Sequence, residues 1–127
     1  NEALLKQLAL PYTYLGKVPM RRINALYAMS DVVISTSRRE SLGGTLVEGI
    51  ASGCVAVTFA KGGQVDVVDH LETGYIAHGD DISDFVKGID WAVNSAKKSR
   101  DELNRIMSQR FSAEAVAKKY ISLFEDK

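Results

Sequence analysis

The chain has 127 residues, 46% of them apolar and 25% charged, and its 16 basic and 16 acidic side chains cancel. That composition belongs to a soluble globular domain, long enough to bury roughly two-thirds of its extended surface around one core. It excludes a bilayer span, which needs about 20 apolar residues in a row, and it leaves no charge footprint for nucleic acid or a membrane surface. Along the chain, Glu2 to Ala9 reads as a helix that Pro11 stops. Tyr12-Thr13-Tyr14-Leu15 reads as a short strand, and Gly16-Lys17-Val18-Pro19 as a turn. Pro19 suits the opening of a helix that runs to Ser30, with Ile23, Leu26, Tyr27 and Ser30 along one face. Val32-Val33-Ile34-Ser35-Thr36 is a continuous β-branched run, the pattern of a strand buried on both faces in a parallel sheet.

After a loop over Ser37 to Gly43, the pattern predicts a helix from Gly44 to Ser52, closed by Gly53. Cys54 to Phe59 is a second buried-type strand. Lys61-Gly62-Gly63 turns into a short helix around Val65 to Val68, and Gly74-Tyr75-Ile76-Ala77 is a last strand. Three amphipathic patterns follow. Ile82, Phe85, Val86, Ile89 and Val93 mark one, with Asp80 or Asp81 at its start. Leu103, Ile106, Met107 and Phe111 mark the second. Ala113, Val116, Ala117, Tyr120, Ile121 and Phe124 mark the third, with Ser112 placed to cap it. Helix and strand alternate, so the expected fold class is α/β, a Rossmann-like parallel sheet flanked by helices.

The lone cysteine, Cys54, has no internal disulfide partner, and it begins a buried-type strand, which makes it core rather than nucleophile. His70 and His78 read as surface-turn residues without metal-ligand spacing, so neither a metal nor a cofactor is expected. Trp91 reads as packing. The zero net charge hides a small asymmetry. Residues 1–63 hold seven bases against four acids, +3, and residues 64–127 hold nine against twelve, −3. The front half is therefore the place to seek an anionic ligand.

Ligands of open α/β sheets bind beyond the carboxyl ends of the strands. The segment leaving the first buried strand is Ser37-Arg38-Arg39-Glu40-Ser41-Leu42-Gly43-Gly44-Thr45-Leu46-Val47-Glu48. Its glycines admit close backbone approach, and the helix opened by Thr45 presents free amides to an anion such as phosphate. Glu48, one turn in, leans back towards Glu40. Two carboxylates beside a phosphate site fit a ligand that is anionic at one end and rich in hydroxyls at the other, as a nucleotide sugar is. Taken alone, the same residues also fit a plain turn followed by a solvated helix face.

Glu40 and Glu48 stand in an E-x7-E spacing, inside Ser37-Arg38-Arg39-Glu40-Ser41-Leu42-Gly43 and Leu46-Val47-Glu48-Gly49-Ile50-Ala51-Ser52-Gly53. Around them, in order, come Leu15-Gly16-Lys17-Val18, Leu26-Tyr27-Ala28-Met29-Ser30-Asp31, Val55-Ala56-Val57-Thr58, Gly62-Gly63-Gln64-Val65-Asp66-Val67-Val68, Glu72-Thr73-Gly74-Tyr75-Ile76 and Phe111-Ser112-Ala113-Glu114-Ala115-Val116-Ala117. This ordered set, from Leu15 to Phe124, resembles the retaining glycosyltransferases of family 4, whose two-domain architecture is called GT-B.

The resemblance implies that the chain is the donor-binding part of the C-terminal domain, facing an acceptor-binding N-terminal domain across a cleft. Glu40 would be the catalytic carboxylate near the transferred sugar. Ser41, Leu42 and Gly43 would meet that sugar, Gly44 and Thr45 the diphosphate, and Glu48 the ribose hydroxyls. Gly62 and Gly63 would line one side of the cleft, with Gly16 and Lys17 also at its wall. Implied partners are a nucleotide-diphosphate sugar and a glycan, lipid or small-molecule acceptor held by the other domain. No nucleic acid is implied, and membrane contact is implied solely through that other domain, in a cytoplasmic setting or at the inner face of a membrane.

Leu42 stands where the family often has Phe, Gly44 and Thr45 where aliphatic residues are commoner, and Asp66 where Glu is common. The family's first βα units, with a basic pair that grips the diphosphate, have no match, and Asn1-Glu2-Ala3 begins already in helix-like sequence. The chain is therefore expected to be most of one domain, inactive by itself. Arg38 and Arg39 read as solvated loop charges rather than substitutes for that pair. Two other readings stand beside this one. A GT-B-like module that binds or scaffolds without catalysis is the first. A receiver-type signalling domain is the second, but Asp80-Asp81 comes late for its acidic pair and the Val32–Thr36 strand leads to Glu40 rather than Asp.

Overall fold

The elements run α1 (Met20–Ala28), β1 (Val32–Ser35), α2 (Gly44–Ala51), β2 (Val55–Phe59), α3 (Gln64–Val67), β3 (Gly74–Ala77), α4 (Ile82–Asn94), α5 (Arg100–Phe111) and α6 (Ala113–Glu125). The computed structural model describes Gln7 and residues 10–125, so the helix expected over Glu2–Ala9 lies, but for Gln7, outside the described residues. The three strands form one parallel sheet in the order β1-β2-β3. Val32 lies opposite Val55, and Val57 opposite Tyr75. Parallel neighbours need crossovers, which α2 and α3 supply.

Strand alternation sorts the core into two faces. Val33 and Ala56 point to the face covered by α2 and α5, where Leu46, Ile50, Leu103 and Met107 are buried. Val57 and Ala77 point to the other, where Phe85 and Ala92 of α4 cover them. Each fully buried Leu or Ile contributes roughly 1.5–3 kcal/mol, so the α2–α5 face dominates stability. The α/β layering expected from the pattern is the observed one. Helix starts follow the expected chemistry. Asp81 accepts from the Asp84 amide at 3.1 Å, Ser99 and Glu102 form a capping box, and the Ser112 hydroxyl accepts from the Ala115 amide at 3.1 Å. Arg100 joins the ends of two helices. It donates to the Ser30 and Ala28 carbonyls beyond and at the end of α1, at 3.0 and 2.8 Å, and to the Ser52 carbonyl after α2 at 2.9 Å.

Several expectations need correction. Tyr12–Leu15 is not a strand; Tyr12, Tyr14 and Leu15 are exposed and pair with no ladder among the described residues. The first helix ends at Ala28 rather than Ser30 and buries none of its residues fully, although Ile23, Leu26, Tyr27 and Ser30 are half-buried as a face. The β1 strand is buried on one face only. Val33 is buried, whereas Ile34 is 46% exposed, because β1 is an edge strand and α4 sits over β2 and β3. On α4 the sheet-facing row is Phe85, Gly88, Ile89 and Ala92; Ile82, Val86 and Val93 face solvent. The third apolar pattern does form α6, but Tyr120, Ile121 and Phe124 are exposed there. The short helix spans Gln64–Val67, one residue earlier than read.

Candidate functional site

Because β1 and β2 are parallel, the loops that leave them emerge on the same edge of the sheet. The β1 loop carries Glu40, Ser41, Leu42 and Gly43; the β2 loop carries Gly62 and Gly63. These two loops pack backbone against backbone. The Gly63 amide donates to the Glu40 carbonyl at 2.9 Å. A Cβ on Gly62 would overlap that same carbonyl oxygen, and one on Gly63 would overlap the Ser41 carbonyl. Gly62 also has φ +57, a left-handed backbone that side chains resist. The two glycines expected to line a cleft are thus, in the structure, the support on which the Glu40 loop rests.

Gly43 is the N-cap of α2, with φ +87 and no side chain to satisfy the helix amides. A Cβ there would stand 3.6 Å from Glu40 Cγ and 3.5 Å from Gln64 Cγ. Gly44 and Thr45 follow, both exposed, so the first amides of α2 face solvent at the sheet's carboxyl edge. The positive end of a helix and uncapped amides together can hold an anion. Leu42 is 45% exposed, Glu40 is half-buried, and Glu48 is exposed. The structure therefore brings Glu40, Gly43, Gly62 and Gly63 together and sets Thr45 and Glu48 on the adjoining helix. Gly16 and Lys17 are not joined to the Glu40 loop by any hydrogen bond among the described residues. Lys17 lines a separate hollow of about 80 Å³ with Leu15, Val18, Pro19, Arg22 and Leu26. A larger hollow, about 640 Å³, lies between α5 and α6 and is lined by none of the expected residues.

Three residues of the site escaped the sequence reading. Burial, and after it the nearby Glu48 carboxylate, pushes the Tyr27 hydroxyl above its ordinary pKa. Like any tyrosine it is protonated at neutral pH, and it stands near enough to Glu48 to donate there. Gln64 is fully buried; its amide donates to the Ser37 carbonyl at 2.9 Å and to the Lys61 carbonyl at 3.2 Å. Thr58, also fully buried, donates its hydroxyl to Gln64 Oε1. The signal for Gln64 is its place after Gly62-Gly63, and nothing in the sequence says that it points inward. Of the two aspartates expected at the start of α4, the structure selects one. Asp81 alone caps α4, while Asp80 pairs with Lys61, and that bond foremost holds its carboxyl below the ordinary range. Arg38 and Arg39 are exposed, as read. Cys54 is buried and donates its thiol to the Tyr27 carbonyl at 3.2 Å, and burial raises its pKa, which suits core rather than attack.

Among the described residues no group of three or more His, Cys, Asp or Glu side chains is placed to hold a metal ion, and no helix is long and apolar enough to cross a membrane. Comparison with known proteins gives a consistent set of likenesses. The family model of glycosyl transferases group 1 matches residues 2–110. N-acetyl-alpha-D-glucosaminyl L-malate synthase of Bacillus anthracis is 30% identical over 121 residues, covering 89% of this chain and 30% of that protein. Glycogen synthase of Aquifex aeolicus is 34% identical over 107 residues, covering 80% of this chain and 23% of that protein. Spore coat protein SA of Bacillus subtilis is 29% identical over 119 residues, covering 89% and 31%. The chain spans about a third or less of the length of these relatives.

Proposed function

The chain belongs to the glycosyl transferases group 1 family, and from that premise we propose that it is the donor-binding part of a retaining glycosyltransferase of the GT-B kind, taking a nucleotide-diphosphate sugar. The observation that carries the reading is the joint placement of Glu40, Gly43 and the exposed start of α2 at the carboxyl edge of the sheet, with Glu48 one turn into that helix. In this reading the amides of Gly44 and Thr45 and the positive end of α2 take the diphosphate and stabilise it as leaving group. Glu48 accepts from the ribose hydroxyls, steadied by Tyr27. The backbone of Ser41 and Gly43 and the apolar side chain of Leu42 form the sugar wall. Glu40 contacts donor hydroxyls and stabilises positive charge that develops at the anomeric carbon.

The remaining steps belong to a partner portion. An N-terminal domain holds the acceptor, a glycan, lipid or small molecule, and aligns it with the donor. Further βα units of the donor domain pair along the outer edge of β1. Exposed Ile34 supports that placement, since it presents an unburied apolar side chain on a strand whose outer edge is unpaired among the described residues. The reaction uses no metal or cofactor and runs in the cytoplasm, with any membrane contact made through the acceptor-binding portion.

Titration of UDP, GDP and ADP against wild type and Glu48→Ala tests the site. The variant is expected to bind ten- to a hundredfold more weakly, the worth of roughly one charge-assisted hydrogen bond; equal affinity removes the ribose contact. In the full-length enzyme, Glu40→Ala is expected to lower kcat by about a hundredfold or more at little change in KM. Normal kcat in that variant removes the catalytic assignment and favours a module that binds without catalysis.

A further inference from the structure

Gln64 stands between the two loops of the candidate site without facing the ligand side. Its side chain is fully buried, yet every polar atom on it is used. Nε2 donates to the Ser37 carbonyl, at the root of the loop that carries Glu40, and to the Lys61 carbonyl, at the root of the loop that carries Gly62 and Gly63. Oε1 accepts from Thr58, inside the central strand. Gly43, at the far end of the Glu40 loop, comes so close that a Cβ there would touch Gln64 Cγ at 3.5 Å. One buried amide therefore ties the start of the segment Ser37–Gly43 and the root of the β2 loop to the central strand of the sheet, with its aliphatic stem beside the segment's end. Burying an amide is costly unless its donors and acceptor are all met. Leu or Met of similar volume would fill the same space without that requirement. The amide earns its place by geometry that an apolar side chain does not supply, namely fixed donors aimed at two backbone carbonyls.

We propose that Gln64 is a positioning residue: through its bridge from Thr58 to the Ser37 and Lys61 carbonyls it sets the height of the Glu40 loop above the sheet, and so governs contact with the donor's sugar rather than its nucleotide. The sugar assignment rests on the donor-site reading given above, whereas the loop-holding role stands on the hydrogen bonds alone. The nucleotide contacts assigned to Thr45 and Glu48 lie on α2, which is anchored independently by Leu46 and Ile50 in the core. Loss of the Gln64 bridge therefore separates the two ends of the ligand.

The test compares three variants of the full chain. Gln64→Met keeps the volume and removes the amide; Thr58→Val removes the hydroxyl that Gln64 accepts from; Thr58→Ser keeps it and serves as the rescue. Amide hydrogen exchange follows the Gly63 N–H, whose acceptor is the Glu40 carbonyl, against the ladder amides between β2 and β3. Gln64→Met and Thr58→Val are expected to speed exchange at Gly63 about tenfold and to leave the ladder within about twofold of wild type, with Thr58→Ser unchanged. Exchange at Gly63 that does not change, or that rises equally across the sheet, overturns the loop-holding role. In parallel, UDP, GDP and ADP are titrated with and without an attached glucose. The glucosylated form that wild type binds is expected to weaken about tenfold in Gln64→Met, and the bare nucleotide by no more than about twofold. Equal weakening of both overturns the sugar-positioning role. If wild type binds none of these compounds, the donor reading fails, and the exchange ratio alone decides whether Gln64 holds the loop.

Discussion

Glu40 is positioned by its neighbours' lack of side chains as much as by its own chemistry. Gly63 has an ordinary helical backbone, φ −70, so a side chain there would not strain the main chain. What forbids it is the Ser41 carbonyl, which occupies the volume a Cβ would need. Gly63→Ala is therefore expected to push the two loops apart, costing about 1–3 kcal/mol of stability as an overpacked site does. Urea denaturation checks this, and an unchanged midpoint would mean that the loops are free to part. The same residue pair marks the limit of sequence reading. Glycines 62 and 63 were legible as a turn after a buried strand and, through the resemblance, as a cleft wall. Their role was not legible, since it depends on which loop lies across from them. Gln64 was invisible for the same reason, a polar residue whose inward direction follows from tertiary contacts alone.

Helix α2 lies very close to β1, and the pair shows how an element is fitted to the sheet. Gly49, in the middle of α2, faces Val33, and a Cβ added there would stand 2.7 Å from Val33 Cγ1. Gly in a helix interior costs about 1 kcal/mol relative to Ala, so helix propensity alone favours Gly49→Ala. The contact with Val33 opposes that gain and exceeds it, since overpacking costs about 1–3 kcal/mol. Gly49→Ala is expected to destabilise the fold, and Val33→Ala in the same molecule to recover part of the loss. A double-mutant cycle by urea denaturation reads the coupling, and strict additivity of the two changes contradicts the close packing. Elements with a tertiary partner were read well. Val55–Phe59 is central and buried, and its β-branched run predicted as much. Tyr12–Leu15 has equally good strand residues but no neighbouring strand among the described residues, and a strand without a ladder is not stable. The apolar row of α6 was legible as a helix, whereas its exposure was not, because periodicity shows that a face exists and not what covers it.

Across the whole molecule, several carboxylates near element ends are held ionised by hydrogen bonds. Asp84 accepts from the His78 amide at 2.8 Å and from the Tyr75 hydroxyl at 2.9 Å, and these, in that order, lower its pKa below 3.8. Glu102 is lowered below 4.5 mainly by the Ser99 amide, then by the Ser99 hydroxyl. A carboxylate whose folded pKa is depressed binds fewer protons when native than when unfolded at acid pH. Its contribution is complete above the unfolded value and disappears as pH falls through the folded value. Stability is therefore expected to fall below about pH 4.5. Asp84→Asn should lower the urea midpoint near neutrality and flatten the acid limb, so that the two curves converge at the lowest pH. Parallel curves would show that Asp84 takes no part in the acid transition. Lys98, raised first by its bond to Glu72, has the opposite sign: its contribution is complete below its unfolded value and disappears as pH rises through the folded one.

The backbone of the Ser37–Gly43 loop is pinned from beneath by Gly63 and Gln64, while the Leu42 side chain on its crest is 45% exposed. Frame and surface are thus separate objects at this site. A change at position 42 leaves the contacts beneath the loop in place, whereas a change at 62, 63 or 64 is expected to shift the loop's residues together. On the donor-site reading proposed above, selectivity at this edge of the sheet is free to drift by single steps in evolution or in a designed library, provided those steps fall on position 42 and leave the three residues below it alone.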